Sequence, residues 1–89
     1  MDRQYQYYAI VTKDFPLVEE PALVSRRWVD EHGVAHEEAF TDALAWVPEV
    51  VLSNIEAGKW TGDVHPITEE AGLAFEAIQH ARVHQYDPA

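Results

Sequence analysis

Residues 22–40, ALVSRRWVDEHGVAHEEAF, restrict the fold more than any other part of the chain. Two runs of strand length, ALVSRRWV and AHEEAF, flank DEHGV. Glycine tolerates the left-handed conformation that closes a three-residue hairpin loop, so Gly33 predicts antiparallel strands over 22–30 and 34–40. With Glu31-His32-Gly33 as the loop, Asp30 opposes Val34, Trp28 opposes His36, Arg27 opposes Glu37 and Arg26 opposes Glu38. A four-residue loop instead sets Arg26 against Glu37 and leaves Arg27 diagonal to Glu38. Either register places an arginine beside a glutamate, a cross-strand pairing that contributes roughly 0.2–1 kcal/mol. The arginine pair therefore reads as a register device rather than a nucleic-acid patch.

Arg26 and Arg27 point to opposite faces of their strand. In the three-residue register Arg26 and Glu38 share a face with Val24, Trp28 and Phe40. That ion pair would be partly desolvated, as a specificity device or as the lip of a binding surface. Tryptophan and arginine are enriched at protein–protein hot spots. Arg26, Arg27, Trp28, Glu37 and Glu38 are accordingly the candidate interaction surface.

Around the hairpin the periodicity changes twice. Residues 5–12, YQYYAIVT, favour a strand that is apolar on both faces and a candidate sheet edge. Residues 13–21, with two prolines, read as a loop. Pro48 suits a helix first turn, Val51, Leu52 and Ile55 recur at helical spacing, and Gly58 fits a C-cap, which predicts a helix over 48–57. Trp46 and Trp60 would bracket that helix against the sheet. Residues 63–67, DVHPI, form a short strand that Pro66 confines to an edge. Thr68 is an N-cap, with Glu69 and Glu70 at the positive end of the dipole. Ala71, Ala74, Phe75 and Ile78 then continue a helix over 69–83. The order β-β-β-α-β-α predicts an α+β domain: an antiparallel sheet of three to four strands with two helices packed on one face. Its 89 residues form a single domain, frayed at about 85–89.

A chain this short has a thin stability margin, and it has no cysteine for a disulfide framework or a thiolate zinc site. Apolar residues make up 47%, enough for a core. Sixteen acidic and six basic residues give a formal charge of −10. Such a surface repels nucleic acid and anionic lipid, which argues against direct nucleic-acid binding. It fits a soluble protein, or one with a basic partner. With no cationic leader and no apolar run long enough to span a bilayer, the expected location is cytoplasmic, without membrane contact.

Catalytic signatures are missing from the pattern. Ser25 and Ser53 lie in no Gly-x-Ser-x-Gly turn, the four glycines stand singly, and adjacent carboxylates such as Glu19–Glu20 and Glu69–Glu70 read as solvated faces or helix starts. Glu76, His80 and His84 occupy one face of the last helix at i, i+4 and i+8. That spacing is compatible with zinc or nickel, with His65 as a further ligand, or with a pH-sensitive patch. It lacks the metalloprotease glutamate, and histidines near a helix C-terminus also serve simply to complement its dipole. No cofactor is called for. Trp28, Trp46, Trp60 and Phe40 could line a ligand pocket, but Trp46 and Phe75 read as core.

The pattern YYAIV, RRWVDEHG, Trp-x-Pro, EAGKW and ITEEA resembles small proteins of actinobacteria and their phages. The resemblance implies no activity, and no functional residue is carried over from it. The sequence therefore leads to the expectation of a non-catalytic protein that acts through protein–protein contact, as a regulator, inhibitor or immunity-type partner, or as a homodimer. One alternative is an acidic nucleic-acid mimic that occupies a DNA-binding enzyme. Another is a small-ligand or metal-binding protein that uses the helix histidines.

Overall fold

A computed structural model describes residues 4–85. The frayed tail expected at about 85–89 lies outside the described residues beyond Gln85. Five strands form one antiparallel sheet: β1 (Gln6–Val11), β2 (Leu23–Val29), β3 (Ala35–Phe40), β4 (Trp46–Pro48) and β5 (Asp63–Ile67). Helix α1 (Val51–Glu56) lies between β4 and β5, and α2 (Glu69–Gln85) follows β5. The sheet order is β4-β3-β2-β1-β5, with every neighbour antiparallel. The α+β class holds, but with five strands rather than three to four.

The extra strand comes from a second hairpin. In the first, the Asp30 N–H donates to the Val34 carbonyl and Gly33 N–H to the Asp30 carbonyl, with Gly33 at φ +80°. In the second, Thr41 N–H donates to Ala45 and Leu44 N–H to Thr41, with Leu44 at φ +59°. The two turns share one design, but the second places a leucine in the left-handed position that glycine normally fills. Leu44 tolerates it because its side chain packs against the core. Pro48 consequently ends β4 instead of opening a helix, and α1 is shorter than the 48–57 expected.

Helix α1 stops where the sequence indicates. Gly58 N–H donates to the Ile55 carbonyl and Lys59 N–H to Asn54, with Gly58 at φ +75°. These are the paired bonds of a Schellman C-cap. Helix α2 starts on Thr68, whose Oγ1 accepts from the Ala71 N–H at 3.1 Å.

The two helices cover opposite faces of the sheet, not one. Tyr7, Val24, Phe40 and Phe75 form a core cluster under α2. There Gly72 lies so close to the Tyr7 ring that a Cβ at position 72 would overlap it. On the other face, Ser53 Oγ and Glu56 of α1 bond to Glu37 and Arg27, and Gly62 packs between Ile10 and Ile55. Strand β1 is interior, covered on both faces as its double-sided apolar pattern implies. It is not an edge.

The edges are β4 and β5, and each carries a proline. The Asp30–Val34 pair fixes the alternation of ladder bonds, since backbone groups of successive residues point to opposite sides of a strand. Counting across the registers, Tyr8 and Ile10 bond toward β2, and Tyr7, Ala9 and Val11 toward β5. Pro66, opposite Tyr8, therefore turns its backbone outward. The same count turns Pro48, opposite Glu38, outward on β4. Its neighbour Glu49 agrees, donating inward to the Glu37 carbonyl at 3.4 Å.

Candidate functional site

The three-residue register is the one adopted: Arg26 pairs with Glu38, Arg27 with Glu37 and Trp28 with His36. Because the helices lie on opposite faces, both arginines are covered. Arg26 faces the α2 side. Its Nε donates to Glu38 Oε1 at 2.8 Å, its Nη2 lies 2.7 Å from the same oxygen, and its Nη1 donates to the Tyr7 hydroxyl at 3.3 Å. The guanidinium carbon is 4.0 Å from the Tyr5 ring centre and 4.1 Å from that of Trp46, a cation held between two aromatic faces. The Arg26 and Glu38 side chains are only 13% and 16% exposed. Burial by itself would make Arg26 release its proton more readily. Hydrogen bonds to Tyr7 and Glu38 outweigh that effect and raise its pKa above the ordinary value.

Arg27 faces α1 and bridges two carboxylates, Glu37 and Glu56, each at 2.9 Å. Ser53 Oγ adds a 2.8 Å bond to the second oxygen of Glu37. This pair thus does more than set register: it ties α1 to the hairpin. Here too burial opposes the charge, and the hydrogen bonds Arg27 donates to Glu37 and Glu56 overcome it.

Trp28 is 9% exposed, so it is buried rather than an open hot-spot residue. It stacks on His36 with ring centres 5.1 Å apart and meets Tyr5 edge-on at 5.4 Å. His36 Nε2 lies 2.8 Å from Asp30 Oδ2, while Asp30 Oδ1 accepts from the His32 and Val34 backbone N–H groups. The hydrogen bond with His36 first, then those from the backbone, hold the Asp30 carboxyl below its usual pKa. The five residues expected to form an interaction surface are therefore brought together, but their charges are spent on one another and on the helices.

The helix histidines are also brought together, without their third member. His80 and His84 stack at 4.0 Å, and His84 Nδ1 lies 2.9 Å from the His80 carbonyl. Glu76 instead accepts a 2.8 Å bond from Trp46 Nε1, fastening α2 to β4. Among the described residues no three His, Asp or Glu side chains are grouped to hold a metal ion. Trp46 packs on Tyr7 and Phe40 rather than against α1, and Trp60 is 43% exposed. Ser25 is fully buried, its Oγ donating to the Glu38 carbonyl at 2.8 Å.

Sequence reasoning missed Arg82. Its Nη1 donates to the Pro21 carbonyl at 2.8 Å and its Nη2 to Glu20 at 3.2 Å, with the guanidinium 4.4 Å from the Phe15 ring. It latches the 12–22 loop to α2 from more than 60 residues away, and nothing local in the sequence signals such a contact. Between this loop and α2 runs an open groove of about 180 Å³, lined by Val18, Val24, Ile67, Ala71, Ala74 and Ile78, with Glu19 at its rim.

Compared with protein-family models, curated proteins and solved structures, the chain matches none. No helix among the described residues is long and apolar enough to cross a membrane.

Proposed function

We propose that this chain is a small non-catalytic binding protein whose partner is a basic protein, in the manner of a regulator, an inhibitor or an immunity-type companion. The observation that carries this reading is how charge is distributed between interior and surface. Arg26, Arg27 and Arg82 are partly covered and engaged by Glu38, by Glu37 and Glu56, and by backbone carbonyls respectively. The carboxylates of Asp14, Glu19, Glu20, Asp63, Glu69 and Glu70 are exposed, with Lys13 and Lys59 the exposed cations among the described residues. The outward field is thus more one-sided than the composition alone implies, and such a field speeds encounter with a surface of opposite sign.

The test is tagged capture from the native host at low salt, with identification of what is retained. A basic protein held at 50 mM salt, released by 0.5 M salt and lost on replacing Glu19, Glu20, Glu69 and Glu70 by glutamine is the expected result. No retained protein at low salt overturns the proposal. A retained DNA-binding enzyme that DNA displaces would favour the mimic among basic-partner modes.

A further inference from the structure

Several exposed apolar side chains lie on the 12–22 loop, with others on the first hairpin (Val29, Val34) and around α1 (Val50, Trp60). Phe15, Leu17 and Val18 project from the 12–22 loop, and of these Val18 lines a cleft against α2. Between loop and helix runs the groove lined by Val18, Ile67, Ala71, Ala74 and Ile78. The small side chains of Ala71, Ala74, Ala77 and Ala81 leave the outer surface of α2 low and exposed, so another backbone can approach it closely. Arg82 fixes the loop wall of the groove through the Glu20 and Pro21 carbonyls, and its guanidinium stacks on Phe15. The cleft therefore has one wall of regular helix and one wall held by a specific latch.

Charge decides what this cleft receives. Glu19 lines the cleft and Glu20 beside it is exposed, while Glu69 and Glu70 are exposed at the far, N-terminal end of α2. A second copy would bring the same carboxylates face to face, with a formal −10 on each molecule. Strand addition is disfavoured as a route for self-association, because Pro48 and Pro66 turn outward at the two sheet edges.

We infer that the groove between the 12–22 loop and α2 docks an amphipathic basic segment of a partner protein, apolar side chains against Ala71, Ala74 and Ile78 and lysines or arginines over the rim glutamates. This rests on the basic-partner reading above and gives it a location. Helix-in-groove recognition of this kind uses anchors at i, i+3 or i+4 and i+7, and flanking charge sets orientation and on-rate.

The test uses an 18-residue leucine–lysine amphipathic peptide as probe, with a scrambled peptide of the same composition as control. Both are titrated into the ¹⁵N-labelled full chain at 50 mM salt. The amphipathic peptide is expected to bind at least about tenfold more tightly than the scramble. Its amide shifts should centre on Val18, Ile67, Ala71, Ala74 and Ile78. Ala74→Phe fills the groove from an exposed helix position without changing charge, and should weaken binding about tenfold with the melting temperature retained. Arg82→Gln releases the latch and should weaken binding while leaving the shifts of the hairpin unchanged. Equal binding of both peptides, with shifts scattered over glutamates and no effect of Ala74→Phe, would overturn the groove while leaving the basic-partner reading intact. No binding of either peptide would overturn both. Groove shifts that grow with protein concentration in the absence of peptide would assign the cleft to a second copy and refute the inference.

Discussion

Arg26 and Arg27 are neighbours in the chain and unequal in what they hold. Arg26 is enclosed between Tyr5 and Trp46, and its removal leaves Glu38 partly buried without its cation. Arg27 is more open, and Glu37 keeps the Ser53 hydroxyl when the arginine is gone. Arg26→Ala is expected to cost about 2–3 kcal/mol and Arg27→Ala about 1 kcal/mol, measured by urea unfolding. Equal losses would mean that the aromatic enclosure contributes nothing beyond the ion pair. Asp30 gives a pH signature at the same scale. Its pKa is lowered in the folded chain, so its stabilisation is complete above the ordinary carboxylate value near 3.8 and is lost as pH falls through the lower folded value. Melting temperatures followed from pH 5 to pH 2 should fall more steeply for the native chain than for Asp30→Asn. The asparagine keeps an oxygen for the His32 and Val34 amides but has no charge to lose. Parallel curves would place the acid sensitivity elsewhere.

At the scale of elements, the first hairpin was legible because its signals are local and consistent: Gly33 at the turn, and a register that satisfies two arginine–glutamate pairs at once. The second hairpin was hidden because Leu44 occupies a position where only glycine, asparagine or aspartate would have announced a turn. Without such a signal Pro48 reads as a helix start and the sheet as one strand smaller. The helix faces are not legible in the sequence for a different reason. Alternation in β1 shows that both faces are covered, but not which helix covers which. Gly72 holds the answer, in a contact that only the folded chain shows: it admits the Tyr7 ring against α2. Gly72→Ala should therefore cost about 1–3 kcal/mol in urea unfolding although alanine favours helix, because the added methyl forces the helix off β1. A gain in stability would show that the α2–β1 contact is looser than described. The edge prolines make an independent prediction. Pro66→Val restores an outward N–H on β5 next to Val64, and should produce concentration-dependent self-association in analytical ultracentrifugation where the native chain does not.

For the whole molecule, internal and external electrostatics have opposite sensitivity to salt. The ion pairs Arg26–Glu38 and Arg27–Glu37 are largely enclosed, and enclosed pairs are weakly screened. The exposed carboxylates on the loop, on β5 and at the start of α2 repel one another through solvent, where screening is strong. Their repulsion destabilises the compact state, as the formal −10 requires, and salt relieves it. The site was legible in the sequence only to this extent: net charge pointed to a basic partner, but the arginines that looked like its contact residues proved to be tied to the fold. The groove depends on a latch between residues 20–21 and Arg82 that no sequence period encodes. Raising NaCl from 20 mM to 500 mM should increase the melting temperature by several degrees, equivalent to roughly 1 kcal/mol for a domain of this size. The same change should weaken capture of the basic partner. A fall in melting temperature would mean that solvent-reachable pairs such as Arg27–Glu56 outweigh the surface repulsion, and that the outward field is weaker than a basic partner needs.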